Sequence, residues 1–197
     1  MAALVLALHC AVVPLSRAVG RPRAAIRCAS QITIHCVGKR RTASSSEGFS
    51  DAGYEEYALR SRAHVDLRTV WHKSDGELVV AVGRECAKGC AVVCLDERGP
   101  TCTSIALSEL VFRWLTEGGS RLAFVVGGAE GLPAALRPGR GASHDGRGSG
   151  DSAAEALRLR YLSLGRLTFT HQMARLILAE QIYRAVQIRA GTQYHKE

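Results

Sequence analysis

The sequence predicts an α/β fold: a mostly parallel sheet flanked by helices. Three observations carry this. Strand-like and helix-like segments alternate from residue 31 onward. The central strand candidates, AVVCLD (91–96) and RLAFVVGG (121–128), are apolar at consecutive positions, as strands buried on both faces require. The longest helix candidate, HQMARLILAEQIYRAVQIR (171–189), is apolar on two flanks and leaves only Glu180, Arg184 and Gln187 as a polar stripe.

The elements follow in order. QITIHCV (31–37) alternates and is rich in β-branched residues, so it reads as a strand. GKRRTASSSEG is a loop, and EGFSDAGYEEYALRSRA is a modest helix. HVDLRTVW (64–71) alternates again and forms a second strand. Ser74 and Glu77 have capping-box spacing before the short helix LVVAVGREC. After AVVCLD and its ERGP turn, SIALSELVFRWLTEGG is an amphipathic helix that Gly118 and Gly119 end. AEGLPAALR, after the next strand, has the start of a helix pattern. YLSLG is a short strand, and the long helix follows.

The chain has 197 residues and a net charge of +8. Glu47 is the first acidic residue, while Arg17, Arg21, Arg23 and Arg27 precede residue 30. An acid-free, Arg-bearing leader over 1–30 is expected to be an organelle transit peptide, for plastid or mitochondrion. A secretory signal is the rival, since LVLALHCAVVPL is apolar, but its positive charges follow the apolar run. Without residues 1–30 the charge falls to +4, mildly basic and compatible with RNA. Residues 31–197 are expected to form one domain, with a Gly/Ser/Arg-rich insertion at 138–151. That insertion reads as a flexible surface segment or an RNA contact. No long uncharged run spans a bilayer, so no membrane partner is expected. The seven cysteines have no C-x-x-C spacing, and no metal is expected; Cys36 and Cys94 lie in strand-like runs as buried thiols.

P-loop, dinucleotide-fingerprint, H-E-x-x-H and G-x-S-x-G patterns are all missing from the sequence. Three strand ends share a character instead: VVCLDERG, FVVGGAEG and LSLGRLTF. If the three strands are neighbours, their ends converge on one pocket of backbone groups, at the edge where open α/β sheets bind ligands. Such a pocket suits a flat, heteroatom-rich ligand such as an adenosine moiety. GGAEG (127–131) is read either as a ligand-approach loop or as a tight turn.

These same segments, VVCLDERGP, FVVGGAEGLP and LSLGRLTFTHQMARLILAEQIYRAVQIRAGTQYHK, with ITIHCVGK before them, resemble the RlmH family in order. The resemblance covers about 31–197 and is strongest from 91 onward. It implies a SPOUT (α/β-knot) methyltransferase with a C-terminal trefoil knot, acting as a homodimer. It implies S-adenosyl-L-methionine as cofactor and N3 of a pseudouridine in helix 69 of large-subunit rRNA, on the RNA or the assembled ribosome, as target. By motif, the cofactor residues are Leu95, Gly127, Leu164, Gly165, Arg166, Leu167, Thr168 and Phe169. The tail pair near the target base is Tyr194 and His195. The family has Pro before the histidine that opens the long helix; Thr170 stands here and can cap that helix instead.

N3 of a uracil-type ring carries a proton that must leave before or during transfer. His195 is the side chain best tuned to take it near neutral pH, unless it only contacts RNA or packs the tail. Tyr194 is placed to stack on or hydrogen-bond the base. His171 is expected to orient the joint between loop and helix. Arg166 and Arg175 are candidates for phosphate or the cofactor carboxylate, or else surface or interface charges. Glu180 and Arg184 are spaced to pair. A ribosome-binding protein without methyl transfer, and a methyltransferase on another RNA, stay open as alternatives.

Overall fold

Runs of β-branched and apolar residues form five short strands. In the computed structural model, which describes residues 30–39, 48–138, 143–145 and 157–194, these are β1 (Gln31–Val37), β2 (Asp66–His72), β3 (Ala91–Leu95), β4 (Arg121–Val126) and β5 (Arg160–Leu162). They build one sheet in the order β2-β1-β4-β3-β5, with every pairing parallel. Phe124 of β4 stands between Ile34 of β1 and Val93 of β3, and all three are fully buried. The doubly apolar runs therefore occupy the middle of the sheet.

Parallel pairing requires crossovers, and helices supply most of them. These are α1 (Gly48–Ser61), α2 (Asp75–Ala87), α3 (Ser104–Glu117) and α4 (His171–Arg189). The period-two alternation of β1 sends Ile32, Ile34 and Cys36 to one face, where Tyr54, Trp114, Leu178 and Ile182 of α1, α3 and α4 complete a core. On the other face Leu78 and Val82 of α2 pack with Val92, Cys94, Ala123 and Val125. The Ser74 cap forms as expected: its Oγ accepts from Glu77 N–H at 3.3 Å. The Glu77 carboxylate returns to Lys73 N–H at 2.9 Å, one residue before the cap.

Both apolar flanks of α4 make contacts within the chain, while Ile177, Tyr183 and Ile188 stay half-buried. Leu176 packs so tightly on α1 that a Cβ at Gly53 would lie 2.8 Å from its Cδ1. On the other flank Ser108 of α3 donates to Ala185 C=O at 2.8 Å. α1 and α3 sit on either side of α4, and Leu178, Ala179 and Ile182 between them pack into the core under the sheet. One correction concerns AEGLPAALR. Pro133 is followed by a single 3₁₀ turn, Ala134–Leu136, and no α-helix develops.

Most of the 138–151 insertion and all of 1–29 lie outside the described residues. Ser143–Asp145 is the exception, and it is docked. Ser143 C=O accepts from Tyr161 N–H at 3.1 Å on the free side of β5, and His144 C=O accepts from Trp114 Nε1 at 3.2 Å. Arg113 pairs with Asp145 at 2.6 Å. This part of the insertion covers the edge strand.

One polar pair interrupts the α2 side of the sheet. His35 Nδ1 lies 2.9 Å from His72 Nε2, the rings stack, and His35 Nε2 is buried without a partner. Burial, then His72, pushes His35 down to about 4, with Glu85 opposing and Lys88 adding. Burial also lowers His72. Both rings are neutral at pH 7. Cys36 and Cys94 are buried thiols, pushed up by burial, Cys36 to about 12. Cys86, Cys90 and Cys94 fall on α2, the following loop and β3, and among the described residues no group of three His, Cys, Asp or Glu could hold a metal. No helix among them is long and apolar enough to cross a membrane.

Candidate cofactor-binding site

β5, β3 and β4 are neighbours, so the chain leaves their carboxyl ends at one place. The three segments enclose a cleft of about 530 Å³. Leu95–Arg98 forms one wall, Val126–Leu132 the second, and Ser163–Phe169, without Arg166, the third. His171 and Ala174 at the start of α4 close one side. Seven sequence-predicted residues line it: Leu95, Gly127, Leu164, Gly165, Leu167, Thr168 and Phe169. Arg166 belongs to the same loop but is exposed and does not line the cleft.

Local chemistry shapes each wall. At Gly127 a Cβ would fall 2.2 Å from Gly131 C and 2.5 Å from Leu132 N. The loop folds back on itself through a Gly128–Gly131 bridge, so this glycine serves its own backbone's close approach, the tight-turn alternative. Gly165 differs. Its φ is +146°, and a Cβ there would meet nothing within 4 Å. Ser163 Oγ pins this bend, accepting from Gly165 N–H at 3.2 Å and donating to Gly165 C=O at 2.8 Å.

The charged groups sit mainly on the first two walls. Asp96 accepts from Arg98 N–H at 3.0 Å and from its Nε at 2.9 Å. Burial raises the Asp96 carboxyl, but the Arg98 hydrogen bonds and charge, with Arg137, outweigh it and hold the group below its ordinary value. Glu97, Glu130 and Arg137 also line the cleft. Single-sequence reasoning passed over Asp96, Glu130, Arg137 and Ser163. Asp96 and Ser163 directly follow β3 and β5 in the sequence, whereas Glu130 and Arg137 lie four and eleven residues past β4 and carried no such signal.

The joint at α4 is built as the sequence implied. Thr170 Oγ1 accepts from Met173 N–H at 3.3 Å and caps the helix. His171 follows, its ring edge-on to Trp71 with centroids 6.3 Å apart. Gly38, at the end of β1, lets it approach: a Cβ there would lie 3.4 Å from His171 Nε2.

Two candidate residues lie outside the cleft of their own chain. Arg175 is buried, ion-paired to Asp51, and its guanidinium lies 4.2 Å from the Tyr54 ring centroid and 5.0 Å from that of Trp71. It fastens α4 to α1 and β2 and does not line the cleft. Tyr194 does not line it either; its hydroxyl donates to Glu180 Oε1 at 3.2 Å. The Glu180–Arg184 pair forms at 2.6 Å. His195 lies outside the described residues.

An open parallel sheet with a loop-built cleft at its carboxyl edge is the arrangement in which α/β proteins of this class bind their ligands. The model of the family described as "Predicted SPOUT methyltransferase" matches residues 30–142 and 147–195. The chain belongs to the SPOUT methyltransferase family. It is similar to proteins named "Ribosomal RNA large subunit methyltransferase H". The one from Protochlamydia amoebophila is 35% identical over 166 residues, 84% of this chain and 99% of that protein. That from Thermus thermophilus is 37% identical over 84% of this chain and 98% of its own length. That from Ralstonia pickettii is 34% identical over 84% and 99%.

Proposed function

We propose that this chain transfers the methyl group of S-adenosyl-L-methionine to N3 of a pseudouridine in helix 69 of large-subunit rRNA, in a plastid or mitochondrion. The observation that carries this is the convergence of three motif-bearing loops on one cleft, in a chain that aligns with nearly the full length of a large-subunit methyltransferase. The cleft fits the cofactor. Its size lies in the range for a small-molecule site. Leu95, Leu132, Leu164, Leu167 and Phe169 offer apolar faces to an adenine, and Gly165 leaves open space beside exposed backbone. Asp96, Glu97 and Glu130 beside Arg98 and Arg137 give the cleft charges of both signs, which suits a ligand that carries both ammonium and carboxylate groups.

When bound, the cofactor supplies an electrophilic methyl group on a sulfonium. The chain's own task is alignment and exclusion of water. The Ser163–Phe169 loop and the Val126–Leu132 loop hold the ligand from two sides. Asp96, tied by Arg98, is an acceptor of fixed orientation. The reading carried over from the family puts Tyr194 and His195 beside the target base, and His195 is the group we assign to take the proton on the acceptor nitrogen, because an imidazole is the side chain tuned to do so near neutral pH. Tyr194 sits on Glu180, outside its own chain's cleft, and we take the tail of a second copy in a homodimer to complete the site. The acid-free leader supports an organelle address, and the family match begins only at residue 30.

Mass spectrometry of rRNA from each isolated organelle, with and without this protein, tests the reading. The expected result is loss of one methyl group at the helix 69 pseudouridine in one organelle. Full methylation in both without the protein refutes it.

A further inference from the structure

The end of the chain reverses onto α4. Gly191, at φ +66°, donates its N–H to Ile188 C=O at 3.0 Å, and Thr192 N–H reaches Gln187 C=O at 3.1 Å. These are the two bonds of a Schellman ending, which turns the chain back along the helix it leaves. Thr192 Oγ1 holds the turn by donating to Gln187 Oε1 at 2.9 Å. The helix is thus ended without help from Glu180, which lies nine residues before its last residue.

Glu180 is nevertheless the one carboxylate of α4, and both its oxygens are engaged. Its Oε1 accepts from Arg184 Nε at 3.0 Å, Arg184 Nη2 at 2.6 Å and the Tyr194 hydroxyl at 3.2 Å. Its Oε2 accepts from Gln181 Nε2 at 2.7 Å, and Gln181 Oε1 accepts from Ser104 Oγ, at the start of α3, at 2.9 Å. The Tyr194 ring is held as well. The Arg184 guanidinium lies 4.9 Å from its centroid, and the Tyr183 ring meets it edge-on at 4.8 Å. Burial, then the Glu180 charge, pushes the Tyr194 phenol up to about 12, so it stays a hydroxyl donor at neutral pH.

A carboxylate with both oxygens engaged by neighbours on its own helix has a fixed direction, and Tyr194 reads that direction through one charge-assisted hydrogen bond. We infer that Glu180 is a positioning residue for methyl transfer: oriented by Arg184 and Gln181, it latches Tyr194 and sets where the tail meets RNA. This rests on the proposed reading, in which the tail pair stands beside the target base. A clamp that only tidied the helix end would alter the tail's mobility and leave the turnover of bound RNA alone.

The test uses the full chain, S-adenosyl-L-methionine with a labelled methyl group, and ribosomes lacking the modification. Glu180→Ala and Tyr194→Phe are each expected to lower kcat about tenfold, the scale of one hydrogen bond to a charged group. Cofactor Kd should stay within twofold, and hydrogen exchange at 192–194 should quicken. Because the Glu180–Tyr194 bond is the contact both variants remove, the double variant should be no slower than the slower single. Glu180→Gln, which keeps an acceptor oxygen, should recover part of the rate. A loosened tail with unchanged kcat, multiplicative losses in the double variant, or an equal loss of cofactor affinity would each overturn the inference. If wild-type protein transfers no methyl group, the enzymatic reading falls and takes this inference with it. Active wild type with indifferent variants removes the inference alone.

Discussion

Acid should unfold this protein through His35. The ring is buried against His72 with one nitrogen unpartnered, and its pKa falls from 6.5 to about 4 on folding. The sign follows from linkage. Above pH 6.5 both folded and unfolded chains hold a neutral ring, and His35 contributes no pH dependence. Below it the unfolded chain takes up the proton and the folded chain does not, so stability falls until about pH 4. A shift of this size corresponds to about 3 kcal/mol. For a domain of this length that lowers the melting temperature by roughly 6–12 °C. Urea unfolding followed by Trp fluorescence at pH 7.5, 6, 5 and 4.5 measures it, in wild type and in His35→Val. The valine variant starts less stable, because it leaves His72 without its partner, but its curve should be flatter over pH 6.5–4. Parallel pH dependences in the two proteins would refute the reasoning, since every carboxylate is common to both.

Three other substitutions probe the site's framework. Arg175→Met should destabilise the protein by about 3–5 kcal/mol in denaturant, because it leaves Asp51 partly buried and unpaired; a change below 1 kcal/mol would show that the pair is not closed in solution. Gly127→Val should weaken S-adenosyl-L-methionine binding at least tenfold by calorimetry and also lower the melting temperature, because the new side chain meets the protein's own Gly131 backbone. Undiminished binding would remove the loop from the cofactor site. Thr170→Ala should cost about 1 kcal/mol for the lost cap, whereas Thr170→Pro loses the same cap but should recover part of that cost, because φ there is −61° and already suits proline. A larger loss with proline than with alanine would contradict that account.

Much of the fold was legible in the sequence because period and composition are local. AVVCL and RLAFVV could only be central strands, and Ser74 and Thr170 announced helix starts that formed. The three strand ends were legible as loops that meet at one cleft because glycine and small polar residues cluster where a parallel sheet ends. AEGLPAALR was misread because its helix-forming residues follow Pro133 and the folded-back glycine loop, leaving room for one turn.

What the sequence could not hold was adjacency. Arg175 looks like any surface arginine until α1 brings Asp51 and Tyr54 against it, from residues more than a hundred positions away. His35 and His72 become a pair only because β1 and β2 lie side by side in register. Tyr194 lies five residues past the end of α4, yet Gly191 turns it back to Glu180. By itself the sequence determined the fold class, the helix caps and the loops that line the cleft, since each depends on neighbours within a few residues. The tertiary structure decided which polar side chains are buried, paired or free. Those fates depend on which distant segments exclude water from them.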